Sequence, residues 1–206
     1  MEKLERETDL NCPCNCRVVF SENSNGIEFC HQKNDQIRDV YNEVFCKHFK
    51  DFEPLRIIEL GINRGGSLAL FANAFKKSNI VGVDINHGTI CSQAKLHFEN
   101  HKDRIQIVQT DQADKELLKY GPFDLIIDDG SHRNEDMKAS FNLLWPELKS
   151  GGFYVIEDWC VLHNTDDFFY NEIIRTISNS PYDNNSPSYA PKNVIIYRNV
   201  MFFQKK

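Results

Sequence analysis

Several features are missing from this 206-residue chain, and each absence narrows its function. No apolar run approaches the roughly 20 residues that a membrane-spanning helix requires, so we expect no contact with a membrane. The formal net charge is −6 and no stripe of lysine and arginine is present. Binding to a phosphate backbone depends on clustered positive charge, so we expect no nucleic-acid partner. The charged first residues lack the apolar core of a secretion signal, which predicts a cytoplasmic protein.

The seven cysteines are concentrated near the N-terminus, where Cys12, Cys14 and Cys16 lie in a polar segment. Their C-x-C-x-C spacing differs from the C-x₂-C spacing of common structural zinc sites. We therefore predict free thiols, with a zinc or redox site as the alternative. Residues 1–34 have weak periodicity and are interpreted as an N-terminal arm that could cover a cleft as a lid.

From residue 35 onward, the sequence alternates between helical and strand patterns. Apolar residues at helical spacing predict a first helix over residues 35–49. Short apolar runs, four of them ended by glycine or an acid, predict strands at 56–60, 80–84, 105–108, 123–127 and 152–156. Helices are predicted between them at 67–75, 89–99, 114–119 and 134–148. Strands separated by helices of this length indicate βαβ units and a parallel sheet.

The C-terminal part follows a different pattern. A further helix is expected near residues 166–177, then a turn-rich stretch over 178–191. Two apolar runs, 194–197 and 200–203, flank Arg198-Asn199 and predict an antiparallel hairpin. The chain is thus predicted to be an α/β protein: an N-terminal arm at 1–34, then one domain at 35–206. That domain is a Rossmann-like, seven-stranded, mostly parallel sheet with helices on both faces and a C-terminal antiparallel hairpin.

Polar residues follow three successive strands. The segment Glu59 to Ser67 has G-x-x-x-G-G spacing, in which glycines allow a tight turn close to a ligand, although a structural turn would look similar. Asp84 ends the second strand, where an acid can bind ribose hydroxyls. Asp111 and Gln112 follow the third strand, with a helix cap as the alternative for Asp111. Ligands bind outside the carboxyl ends of such sheets, so the three features together predict a nucleotide-like cofactor.

These segments resemble the class I S-adenosylmethionine-dependent methyltransferases. The resemblance covers roughly residues 35–205 and implies S-adenosylmethionine (SAM) as cofactor. It also implies a set of cofactor-binding residues, which run from the glycine turn to the end of the fourth strand: Glu59, Gly61, Arg64, Gly65, Ser67, Asp84, Asp111, Gln112 and Asp128.

Four carboxylates and one imidazole follow the fourth and fifth strands. The fourth strand ends in Asp128-Asp129-Gly130-Ser131-His132, and the fifth in Glu157-Asp158. Like charges in a cleft repel one another, and a divalent cation relieves that repulsion. Oxygen-rich ligation suits Mg²⁺ or Mn²⁺ better than Zn²⁺. Solvated acids in loops are the alternative interpretation.

The runs F-D-L-I-I-D-D-G-S-H and G-G-F-Y-V-I-E-D resemble the macrolide-sugar O-methyltransferases and the related group labelled cephalosporin hydroxylase. This resemblance implies metal binding by Asp129, Glu157 and Asp158, with His132 as general base. It implies transfer of the SAM methyl group, by SN2 attack, to a hydroxyl of a small molecule, most naturally a sugar. The glycine turn here is shorter than in the sugar enzymes, so the acceptor pocket is not carried over.

Two other functions stay open on the sequence alone. One is a nicotinamide-dependent oxidoreductase, against which the missing G-x-G-x-x-G pattern argues. The other is a non-catalytic module that binds metal or a ligand. His163, and more weakly His31 and Tyr41, are candidates for contact with the acceptor. A homodimer is the assembly that we favour.

Overall fold

The computed structural model describes residues 40–49, 51–90, 92–159, 191–197 and 199–206. The N-terminal arm with its cysteine cluster, His31, His163 and the expected helix at 166–177 lie outside the described residues, as does nearly all of the turn-rich stretch. The helices are α1 (Asn42–His48, wound as a π-helix), α2 (Gly66–Ala74), α3 (Ser92–Asn100) and α4 (Asn134–Leu144), with short 3₁₀ turns at His87–Thr89 and Lys115–Tyr120. The strands are β1 (Arg56–Leu60), β2 (Asn79–Asp84), β3 (Ile105–Gln109), β4 (Phe123–Asp128), β5 (Leu148–Glu157), β6 (Asn193–Ile196) and β7 (Val200–Gln204).

The strands form one seven-stranded sheet in the order β3-β2-β1-β4-β5-β7-β6. The first five strands pair in parallel, whereas β7 pairs antiparallel with both β5 and β6. The predicted fold class is confirmed, including the antiparallel hairpin. The chain order reverses direction across the sheet at β1 and β4, and ligands of such sheets bind in the crevice at that point.

Both faces of the sheet are covered, which explains the near-continuous apolar strands. On one face, here called the α1 face, Tyr41, Leu68 and Ala94 from α1 to α3 pack with strand residues such as Ile57 and Val155. On the opposite face, here called the α4 face, helix α4 supplies four buried apolar residues. They are Met137, Phe141, Leu144 and Trp145 at its C-cap. Successive strand residues alternate between these two faces.

The predicted boundaries on either side of Pro146 are wrong. The helix expected over 134–148 ends at Leu144, and Leu148 is the first residue of β5. Pro146 has no backbone N–H and therefore cannot continue the helical hydrogen bonds. Within the described ranges, no helix has both the length and the apolar character needed to cross a membrane.

Candidate active site

The carboxyl ends of β1, β4 and β5 lie side by side. Leu60 is in register with Asp128, and Asp128 with Ile156. Asp129, which follows β4, and Glu157, the last residue of β5, are therefore brought to one edge of the sheet. Asp129 is tied to β1 because its backbone N–H donates to the Leu60 carbonyl over 2.9 Å.

Three side chains converge at this edge. A carboxylate oxygen of Asp129, one of Asp158 and an imidazole nitrogen of His132 all lie within 4.8 Å of one another, and all three residues are partly exposed. Such a set has the donor types and spacing that a divalent cation requires. An imidazole beside two acids is equally placed to accept a proton from a hydroxyl.

Two of these three residues have unusual backbone conformations. His132 has φ +58° and Asp158 has φ +50°, both in the left-handed region that non-glycine residues rarely occupy. Such conformations cost about 1–3 kcal/mol each and are found preferentially at functional sites. The backbone at both positions is therefore held by its surroundings. For Asp158 a 2.7 Å hydrogen bond from its N–H to the Asn199 carbonyl contributes.

Glu157, the third predicted metal ligand, lies deeper. It is 1% exposed, and its Oε1 accepts a 2.7 Å hydrogen bond from the hydroxyl of Tyr41. Burial raises the pKa of Tyr41 well above its ordinary value of 10, and the charges of Glu157, Glu59 and Asp129 raise it further. The phenol is therefore the neutral hydrogen donor among these acids. Tyr41 is 8% exposed, and its contact with the acceptor stays a prediction.

Asp128 lies on the opposite side of the sheet from Glu157. It accepts hydrogen bonds from the Ser140 hydroxyl, from Tyr154 Oη at 3.1 Å and from Gln112 Nε2 at 3.3 Å. The residue is 1% exposed, and burial raises its pKa to about 6 although the bonds from Ser140 and Tyr154 lower it. Asp128 thus has hydrogen-bond partners within the protein, and the cofactor contact that the resemblance implied for it stays a prediction.

Gln112 extends this network to the loop that carries Asp129 and His132. Its Oε1 accepts a 2.9 Å hydrogen bond from the backbone N–H of Ser131. The same oxygen lies 2.3 Å from where a Cβ of Gly130 would be, so a larger residue at position 130 would require the Gln112 side chain to move. Gln112 thus helps to hold the loop in place, and its implied contact with the cofactor stays a prediction.

The glycine turn after β1 is held closely against β2 and β4. Gly61 and Gly65 have φ +83° and +89°, as their predicted role in a tight turn requires. Asp84 accepts a 2.7 Å hydrogen bond from Asn63 N–H on one oxygen and a 2.9 Å bond from Asn86 N–H on the other. The carboxylate that was predicted to bind ribose is therefore fixed at the end of β2, next to the turn.

The remaining predicted cofactor residues differ in exposure. Glu59 is fully buried, Ser67 is 8% exposed, and Arg64 and Asp111 are exposed. Asp111 Oδ1 accepts from Ala113 N–H at 2.8 Å, whereas Asp114 caps the following 3₁₀ turn by accepting from Glu116 N–H. Asp111 thus orders the loop after β3, and its exposed position leaves it accessible to a ligand.

Sequence reasoning missed Ser140 and Tyr154, the partners of Asp128. Ser140 interrupts the apolar stripe of α4, and a polar residue at a core position requires a partner. Tyr154 stands within an apolar buried strand, where its hydroxyl also needs one. Both were detectable as polar groups in core positions, but the sequence does not reveal which acid they contact.

The sheet order, the glycine turn and the acidic edge together define a Rossmann-like domain of the class I methyltransferase type. Residues 58–159 match the family model described as "Methyltransferase domain". The chain therefore carries a methyltransferase domain, and the resemblance to the macrolide-sugar O-methyltransferases is confirmed by its curated relatives.

One such relative is the mycinamicin VI 2''-O-methyltransferase of Micromonospora griseorubida, 33% identical over 195 residues. That alignment covers 78% of this chain and 47% of the relative. Another, from Streptomyces olivaceus, is named 8-demethyl-8-(2-methoxy-alpha-L-rhamnosyl)-tetracenomycin-C 3'-O-methyltransferase. It is 37% identical over 121 residues, covering 52% of this chain and 28% of the relative. The chain thus spans half or less of the length of these relatives.

A solved structure shows the same relationship. The MycE methyltransferase from the mycinamycin biosynthetic pathway, in complex with Mg, SAH and mycinamycin VI, superimposes with a TM-score of 0.67 at 26% identity. The superposition covers 85% of this chain and 50% of that one.

Proposed function

We propose that this chain is a metal-dependent O-methyltransferase that transfers the methyl group of SAM to a hydroxyl of a carbohydrate-bearing small molecule. The observation that carries the proposal is the convergence of Asp129, Asp158 and His132 within 4.8 Å at the carboxyl edge of a methyltransferase domain. Relatives whose names specify transfer to a sugar position, and a neighbour bound to Mg and SAH, support it.

The residues at the sheet edge are suited to bind both SAM and a divalent cation. Asp84, fixed by two backbone N–H groups, offers a carboxylate beside a glycine turn, which suits a ribose. Asp129 and Asp158 offer hard oxygen donors, which Mg²⁺ and Mn²⁺ prefer, and Glu157 is the proposed third, more deeply buried ligand. When bound, SAM supplies an activated methyl group, and a divalent cation lowers the pKa of a hydroxyl that it contacts.

The chain's own residues then align the acceptor and remove its proton. Loop 129–132 is held by Gln112 and Asp128, so that His132 keeps a fixed position beside the two acids. We propose that His132 would accept the proton of the acceptor hydroxyl, while bound SAM would supply the methyl group through cleavage of its S–CH₃ bond and leave as S-adenosylhomocysteine. Fixed alignment of the two reactants is a large contribution to such a displacement.

The first test measures SAM binding and methyl transfer. We expect the purified protein to bind SAM and not NADH by calorimetry. We expect transfer of the labelled methyl group from SAM to methyl rhamnoside. Transfer to the 2-deoxy analogue of this sugar, which lacks one of two adjacent hydroxyl groups, should be weaker. Chelator should abolish the reaction and Mg²⁺ should restore it. Turnover that survives exhaustive metal removal would contradict the metal role, and SAM binding without any methyl transfer would favour a non-catalytic module.

The second test separates a base from a ligand at position 132. His132→Ala should lower kcat by about 100-fold or more, the scale of lost general-base catalysis, while the Kd for Mn²⁺ changes little. The matched control is His48→Ala, since His48 is an exposed histidine on α1. If His132→Ala instead weakens Mn²⁺ binding strongly, the imidazole is a ligand and the proposed base is wrong.

A further inference from the structure

A hydrogen bond links Tyr41, beside α1, to Glu157 at the acidic edge of the sheet, 116 residues further along the chain. Its hydroxyl donates to Glu157 Oε1 over 2.7 Å, and both residues are buried. Residue 41 precedes residues 58–159, which match the methyltransferase family. Tyr41, at the N-cap of α1, therefore contributes a contact to a site whose acids lie at or just after the ends of strands.

The ring of Tyr41 is fixed by aromatic neighbours from three elements. Its centroid lies 5.4 Å from Phe71 of α2, 5.4 Å from Phe202 of β7 and 5.8 Å from Phe45 of α1. The contacts with Phe71 and Phe202 are edge-to-face, at 64° and 74°. Such pairs contribute about 0.5–1.5 kcal/mol each beyond the area they bury. The hydroxyl therefore has a single direction, and it points at Glu157.

Glu157 needs this hydrogen bond because it is 1% exposed. A buried carboxylate is costly unless hydrogen bonds satisfy its oxygens. The next residue is Asp158, whose backbone N–H is held by Asn199 and whose carboxylate belongs to the three-residue cluster. The orientation of Glu157 is thus set from α1, and that of Asp158 from the β6–β7 turn.

We propose that Tyr41 is a positioning residue of the cation site, acting through Glu157. This inference rests on the proposed function, in which Glu157 is a metal ligand. With Oε1 held by a fixed phenol, the carboxylate meets the cation in one orientation and loses little freedom on binding. Hydrogen-bond partners of metal ligands typically change metal affinity by about 10- to 100-fold when they are removed.

The test removes one oxygen atom. Tyr41→Phe keeps the ring and its aromatic contacts but removes the hydroxyl. We expect the Kd for Mn²⁺, measured by calorimetry and by electron paramagnetic resonance, to rise about 10-fold or more. The Kd for SAM should change less than about twofold, because the ring of Tyr41 stays in place and Asp84 is held by the backbone N–H groups of Asn63 and Asn86. Tyr120→Phe, on the 3₁₀ turn before β4, is the matched control and should leave both constants unchanged.

A double-mutant cycle shows whether Tyr41 acts through Glu157. In a Glu157→Gln background, Tyr41→Phe should cause little further loss of Mn²⁺ affinity, since the ligand that it positions is already impaired. An equal loss in both backgrounds refutes action through Glu157. If the unmodified protein binds Mn²⁺ and Tyr41→Phe binds it equally well, this inference fails alone. If the unmodified protein binds no Mn²⁺, both this inference and the proposed metal dependence fail.

Discussion

Gly61 allows the backbones of β1 and β4 to approach closely, and replacing it with alanine should disturb the proposed cation site. Its φ is +83°, and an added Cβ would lie 2.1 Å from the Asp129 carbonyl oxygen, 2.6 Å from the Asp129 carbonyl carbon and 2.7 Å from Gly130 Cα. All three are backbone atoms, so no side-chain rotation relieves the overlap. Gly61→Ala must therefore displace the start of the loop that carries Asp129.

Gly151 supplies a matched control. Its φ is +78°, almost the same as that of Gly61, but an added Cβ would meet no atom within 4 Å. Gly151→Ala therefore isolates the cost of a left-handed alanine, about 1–2 kcal/mol. Gly61→Ala adds the cost of overpacking, about 1–3 kcal/mol. The free energy of unfolding should fall by about 2–5 kcal/mol for Gly61→Ala and by about 1–2 kcal/mol for Gly151→Ala.

Urea denaturation measures both values, provided that the slope m is unchanged. Mn²⁺ titration supplies a second readout, since Gly61→Ala should weaken Mn²⁺ binding through displaced Asp129 while Gly151→Ala should not. Equal losses of stability in the two variants would refute the overlap argument. A Gly61→Ala protein with unchanged Mn²⁺ affinity would show that the loop accommodates the methyl group without moving its acid.

Two further predictions concern acid sensitivity and the cofactor. Burial, together with the charges of His101 and Arg104, lowers the pKa of His97 below its ordinary value of 6.5. The unfolded chain therefore binds the extra proton more readily, and stability should fall as pH drops below about 6.5. Urea midpoints measured from pH 8 to pH 5 should fall less in His97→Gln than in the unmodified protein. In His48→Gln the midpoints should depend on pH as they do in the unmodified protein. Separately, Asp84→Asn should weaken SAM binding by about 10-fold or more, since hydrogen bonds to a charged group contribute about 1.5–3 kcal/mol. Calorimetry should show unchanged Mn²⁺ affinity, and an unchanged Kd for SAM would exclude Asp84 from the cofactor site.

Most of the sheet could be predicted from the sequence because its strands are buried on both faces. Five apolar runs, four of them ended by glycine or an acid, marked β1 to β5 to within a few residues, and β5 alone began four residues earlier than expected. Leu148 carried no local signal for a strand, since an apolar residue fits either element. Its assignment depends on pairing with Phe123, a contact between distant residues.

The site was predicted less completely, since partners in space have no mark in the sequence. The acids at the strand ends were visible, but the hydrogen bonds of Tyr41 and Ser140 to them depend on how α1 and α4 dock. The same holds for Gln112, whose polar side chain fits a cofactor contact as well as it fits a loop support. These hydrogen bonds of Tyr41, Ser140 and Gln112 are visible only in the tertiary structure.

Strand geometry explains why the adjacent acids Asp128 and Asp129 have different surroundings. Side chains alternate between faces, and Asp128 follows Ile126 on the α4 face, where Ser140 and Tyr154 receive it. Asp129 follows Ile127 on the α1 face, and its charge acts on Tyr41 there.

The same alternation places two further acids on the α1 face. Glu59 follows Ile57 and Glu157 follows Val155, so both share that face with Asp129 and with the phenol of Tyr41. Three carboxylates on one face repel one another, and a bound cation would relieve that electrostatic repulsion. The fourth acid, Asp128, is kept apart on the α4 face and is satisfied by hydroxyl groups. Because side chains alternate along β4, Asp128 is hydrogen-bonded within the α4 face, whereas Asp129 lies on the α1 face with the proposed cation site.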